Sequence, residues 1–159
     1  MSKKLRTFDE KDRKIMMILQ NNPKETLNSL SRQVGLSIDS VNKRLKKLTE
    51  LGILNFKVMI NPAAIGYSLV IDTKIKLKNA DENIYKQLIS YLNQHPQVIE
   101  LFQVSGSWDI SFISIAKDMK HVTDFSNQLK FNFAGYIADL HSVVNIHQFK
   151  SEYYDLNAL

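Results

Sequence analysis

Apolar residues keep one rhythm up to about residue 50 and another from Leu69 onward. The first is helical: Ile15, Ile18 and Leu19, then Leu27, Leu30 and Val34, then Ile38, Val41, Leu45 and Leu48. The second is that of a half-buried strand: Leu69, Ile71, Thr73, Ile75 and Leu77 alternate with Val70, Asp72, Lys74, Lys76 and Lys78. A chain of 159 residues with both rhythms in sequence is expected to fold as a helical unit followed by a sheet-containing one. Charge divides near the same place. Residues 1–60 carry a net +7, the remainder carries −2, and no arginine follows Arg44. A basic first unit fits a polyanionic partner, to which charge supplies sequence-independent affinity.

Three function classes drop out early. With no cysteine, the chain offers no disulfide, no thiolate nucleophile and no Cys-ligated metal. No apolar run approaches the ~20 residues that cross a bilayer. The opening MSKKLRTFDEKDRK has no apolar core of the secretory kind, so a cytoplasmic location is expected, without membrane association. The four histidines, His95, His121, His141 and His147, lack the helical pairing of a metal site. Neither a phosphate loop nor a nucleophile elbow occurs, and no catalytic residue, cofactor or metal is expected.

Within the basic part, Asp9 with Asp12 three residues on predicts a capping box, and Asn21-Asn22-Pro23 ends that helix. Thr26 caps a second helix, which Gly35 stops in the left-handed conformation. Ser37 caps a third, ended by Gly52. The Val34-Gly35-Leu36-Ser37 turn joins the last two as in a helix-turn-helix, where the later helix enters the major groove. Its polar side offers Asp39, Ser40 and Asn42 for base edges, and Lys43, Lys46 and Lys47 for phosphates or guanine, with Arg44 on a flank. Ile53 to Ile60 reads as a strand pair or wing with Lys57 at its tip, touching adjacent backbone.

Beyond Asn61-Pro62 and Gly66-Tyr67 the order reads strand, helix 81–93, strand 98–105, strand 108–116, helix from Asp118, and strand 136–149. This is the split βαββαβ, ferredoxin-like order. Gly106-Ser107 turns the central hairpin. Gly106, Trp108 and Asp109 there combine close backbone access, an aromatic wall and a carboxylate suited to an ammonium.

Together these segments resemble the Lrp/AsnC family of transcription regulators. The likeness rests on Phe8-Asp9-Glu10-Lys11-Asp12-Arg13-Lys14-Ile15, Val34-Gly35-Leu36-Ser37 with Val41, Arg44, Leu45 and Leu48, Leu51-Gly52-Ile53, Asn61-Pro62 with Gly66-Tyr67, and Gly106-Ser107-Trp108-Asp109. It implies an α+β chain: a winged helix-turn-helix over 1–60, a linker 61–67, a ligand-sensing and oligomer-forming ferredoxin-like (RAM) domain over 68–150, and a tail 151–159. By position it makes Ser37, Ser40, Asn42, Lys43 and Lys46 DNA-facing and sets Arg44 near phosphate. Gly106, Trp108 and Asp109 fall beside the effector site. It further implies homodimers, often assembled into higher homo-oligomers, that bind double-stranded DNA and sense a small effector such as an amino acid. Lys11 stands where the family has an apolar residue. Two rival functions share these features: an architectural, chromatin-like DNA packer without an effector, and a haem-pathway decarboxylase-like enzyme of the same architecture.

Overall fold

A computed structural model describes residues 8–158; the first seven residues of the expected 1–60 domain, and Leu159, lie outside it. Backbone contacts divide the chain into two units. Residues up to Met59 group with those from Lys150 onward, and Ile60–Phe149 form the other.

The helical unit contains α1 (Glu10–Asn21), α2 (Leu27–Val34) and α3 (Ile38–Glu50). Each begins on the predicted cap. Asp9 accepts from the Asp12 amide while Asp12 accepts from the Asp9 amide, and Thr26 and Ser37 accept from the amides of Ser29 and Ser40. Such caps contribute about 1 kcal/mol each. Gly35 sits at φ +68°, where a side chain would be strained, and turns the chain between α2 and α3. Ile15, Leu19, Leu30, Val34 and Val41 form the core, with Leu45 packed against it. Ile38 differs from expectation: it stands at the edge of the stripe and is 44 % exposed.

The strand pair expected over Ile53–Ile60 is not formed. Ile53 and Leu54 instead donate to the Leu48 carbonyl at the end of α3, and residues 55–61 carry no regular structure. Eight residues without a turn-forming pair are too few for two strands and their connection, and among the described residues this unit has no other strand to pair with one of them. Phe56, Val58, Met59 and Ile60 are left exposed.

The sheet unit runs β1 (Leu69–Leu77), α4 (Glu82–Gln94), β2 (Val98–Gln103), β3 (Ile110–Ala116), α5 (Met119–Asn132) and β4 (Ile137–Asn145). Its antiparallel order is β2-β3-β1-β4. The βαββαβ sequence and the alternation in β1 match expectation, with Ile71, Thr73 and Ile75 buried. Leu88 and Leu92 of α4 and Phe125 and Leu129 of α5 pack on that face together with Ile110 and Phe112. Both helices therefore cover one side of the sheet. The Thr73 and Ser142 hydroxyls satisfy one another at 2.9 Å on adjacent strands. The last strand stops at Asn145, short of the expected 149, and Ile146 beyond it is almost fully exposed.

Candidate DNA-binding face and ligand hollow

The outer side of α3 is set by what its inner side buries. With Val41 and Leu48 fully buried, the 3.6-residue period turns Asp39, Asn42, Lys43, Lys46 and Lys47 to solvent. Ser37 and Ser40 stand at the start of the same helix, their hydroxyls 2.9 Å apart, with Ser40 only partly exposed. Lys46 makes one loose pair, 3.9 Å from Glu50, and both groups are well exposed. Pairs of that kind are worth little and are easily exchanged for a phosphate. Lys57 is exposed on the irregular stretch that replaces the expected wing.

Arg44 is different. Its Nη1 donates to Asp9 Oδ2 and to Asp12 Oδ1, both at 2.7 Å. The other oxygen of each carboxylate takes an amide of the α1 capping box. Four hydrogen bonds thus close a ring that locks the middle of α3 to the start of α1. The Asp12 backbone N–H, and after it the Arg44 guanidinium, hold the Asp9 carboxyl below its usual range, and the two carboxylates raise Arg44. An arginine held in this way positions the helix, and the assignment to phosphate that the resemblance implied has to compete with two carboxylates. Lys11 has a similar duty. Its Nζ donates at 2.6 Å to the Val34 carbonyl, one of the unpaired acceptors ending α2.

In the sheet unit, Gly106 lies in the exposed loop between β2 and β3 at φ +120°, so the backbone there needs a glycine. Trp108 is half-buried, 6.0 Å from the His141 ring, at a tilt. Asp109 accepts from the Leu77 amide at 2.7 Å and from Lys76 Nζ at 3.1 Å. The Leu77 amide first, and Lys76 next, lower its pKa. Its backbone N–H in turn donates to Ile75 O. The carboxylate expected to meet a ligand ammonium thus already ties the end of β1 to the start of β3. It borders an open hollow of about 330 Å³ that also touches Lys76, Lys78, Tyr85 and Gln103. Gly106 and Trp108 do not line this hollow. Among the described residues, no cluster of three or more His, Cys, Asp or Glu is placed to hold a metal ion, and no helix is long and apolar enough to cross a membrane.

A helix-turn-helix with an outward-facing cationic helix, followed in the same chain by a βαββαβ unit with a polar hollow, is the make-up of a two-part, DNA-binding, ligand-binding class of regulator. Comparison with known proteins gives the family. Residues 8–55 match the model for winged helix-turn-helix DNA-binding, and residues 73–154 match the Lrp/AsnC ligand binding domain. The HTH-type transcriptional regulator FL11 of Pyrococcus horikoshii is 31 % identical over 119 residues, covering 74 % of this chain and 77 % of that protein. Two solved structures share the fold. An AsnC family transcriptional regulator from Agrobacterium tumefaciens superposes with a TM-score of 0.84 at 22 % identity, covering 96 % of this chain and 99 % of its own. The transcriptional regulator NMB0573/L-Met complex from Neisseria meningitidis gives 0.82 at 23 % identity, covering 91 % and 94 %. The chain belongs to the Lrp/AsnC family of DNA-binding transcriptional regulators.

Proposed function

We propose that the chain reads operator DNA through the outer face of α3, with Asn42, Ser40 and Asp39 at base edges and Lys43, Lys46 and Lys47 on phosphates or guanine. The observation that supports this is a division of labour: Arg44 Nη1 is engaged in holding the helix, while among the described residues the ion pairs of the α3 lysines amount to the loose one between Lys46 and Glu50. Ser37 and Lys57 flank the same contact. Arg44 acts one step back, by fixing the angle of α3.

The partner of the second unit is a small effector, an amino acid in the first instance, held at the hollow beside Asp109 with Gly106 and Trp108 shaping the adjoining loop. What supports this is the ligand-binding domain match and the L-Met complex of the Neisseria meningitidis relative. The acting species is a homodimer or a higher homo-oligomer. The uncovered side of the sheet carries exposed Phe102 and Val143, and residues 56–60 add a further exposed apolar stretch. Two copies would present their α3 helices to half-sites about one DNA turn apart. The protein is read as a non-catalytic cytoplasmic regulator, in line with the names of its relatives.

Two measurements test the reading. Footprinting against competitor DNA should reveal protected sites at which specific binding exceeds non-specific binding at least about 1,000-fold. Uniform coverage would favour an architectural packer. Thermal-shift screening of the twenty amino acids should find at least one that raises the melting temperature, and Asp109→Ala should abolish that shift. Unchanged effector affinity in that variant, by calorimetry, would refute the site.

A further inference from the structure

After β4 the chain does not end on the sheet. Residues from Lys150 onward group with the three helices, so the polypeptide passes between the two units twice, once at 59–60 and again at 149–150. The return is gripped at a defined point. The Tyr154 amide donates to Gln20 Oε1 at 2.8 Å, and Gln20 Nε2 donates to the Tyr154 carbonyl at 2.9 Å. A carboxamide is the side chain that satisfies a residue's N–H and C=O together, as a neighbouring strand would. Gln20 lies in the last turn of α1 and is 134 residues away in sequence.

Past the grip the segment has local order of its own. The Leu156 amide donates to Tyr154 O, the Ala158 amide to Asp155 O, and the Asn157 amide to the Asp155 carboxylate. The Tyr154 hydroxyl donates to Glu152 at 2.8 Å, and Leu156 is half-buried. Terminal segments fray unless something ties them down, and here both backbone groups of one residue are tied.

We propose that the 150–158 segment is a latch: by closing on Gln20 it makes a second mechanical connection between the ligand-binding unit and the DNA-binding helices. A unit joined by one irregular stretch, residues 55–61, samples many orientations. A second attachment narrows that range and fixes the spacing at which two α3 helices of an oligomer meet DNA. This functional consequence rests on the DNA reading above; the latch itself does not.

The test uses the full chain, Gln20→Ala, Gln20→Glu and a chain stopped after Ser151. Hydrogen exchange at the Tyr154 amide should be slowed about tenfold or more relative to an unstructured peptide, and Gln20→Ala should erase that protection. Gln20→Glu should also loosen it, since a carboxylate oxygen would then face the Tyr154 carbonyl. A Tyr154 amide that exchanges freely in the wild type would overturn the latch outright. For the consequence, the half-site is selected from random DNA by the wild-type protein and placed in pairs, in phase or shifted by half a turn. Wild type should prefer the in-phase pair, and Gln20→Ala and the shortened chain should lose about threefold or more of that preference while keeping affinity for a single half-site. An undiminished preference in both variants would overturn the proposed constraint on spacing. A wild type that selects no paired half-sites would instead overturn the oligomeric DNA reading, and with it the role of the latch in spacing, leaving exchange at Tyr154 to decide the latch.

Discussion

The two units use charge in opposite ways. In the helical unit the charges that hold the fold and those that face outward are separate: Asp9, Asp12 and Arg44 close on one another, while Lys43 and Lys47 make no ion pair within 4.0 Å among the described residues. In the sheet unit one residue serves both ends. Asp109 pins β1 to β3 and also borders the hollow. The difference teaches where a binding surface can be altered without cost to the fold. The α3 lysines can be removed and the helices should stand, whereas the hollow and the ends of the two inner strands depend on the same carboxylate.

The largest effect should come from crossing that division. Arg44→Ala strands the buried Asp12 carboxylate without its cation and should cost the helical unit about 2 kcal/mol in chemical denaturation followed by helical circular dichroism. If stability is unchanged, the ring of four hydrogen bonds does not hold α3. Next, Asp109→Ala should lower the stability of the sheet unit by about 1 kcal/mol, because the Leu77 amide loses its acceptor. Trp108 is the only tryptophan, so its fluorescence reports that unit alone. Loss of ligand response with no loss of stability would mean that Asp109 serves the ligand and not the strand ends.

The smallest effect separates the units by pH. His95 stacks on Phe125 at 4.0 Å between ring centres, and burial lowers its pKa. The unfolded chain therefore binds this proton more readily than the folded one. The contribution of neutral His95 is complete above the ordinary value of 6.5 and is lost as pH falls through that value towards the lower folded one. In the helical unit, Asp9 is depressed from 3.8, so its contribution persists until the solution becomes acid enough to protonate it below that value. Acidification from pH 7.5 to 5.5 should thus weaken the Trp108 transition and leave the helical one in place, and His95→Phe should remove the difference. Equal weakening of both transitions would break the contrast.

How much of this could be read from sequence follows the range of the interaction. The caps at Asp9, Thr26 and Ser37 and the turn at Gly35 are local, since each depends on residues within four positions. They were legible, as was the exposed face of α3, which follows once the buried stripe is known. The partners of Arg44 lie 35 and 32 residues earlier, and nothing in the spacing points to them. The Leu77 amide that meets Asp109 becomes visible only once the strand ends are paired. Gln20 and Tyr154 gave no sequence signal, because an amide that binds backbone has no preference for the residue it binds. The strand pair expected over Ile53–Ile60 is missing for a different reason. Residues 53–60 have strand-like composition, yet composition does not supply the second strand.

The reading of DNA rests on the α3 lysines lying against its phosphates. Its most direct test is the salt dependence of DNA affinity, by fluorescence anisotropy on one duplex, for wild type and the double variant Lys43→Ala/Lys46→Ala. The slope of log affinity against log salt should fall by about one for each lysine removed. A slope equal to that of the wild type in the double variant would contradict it.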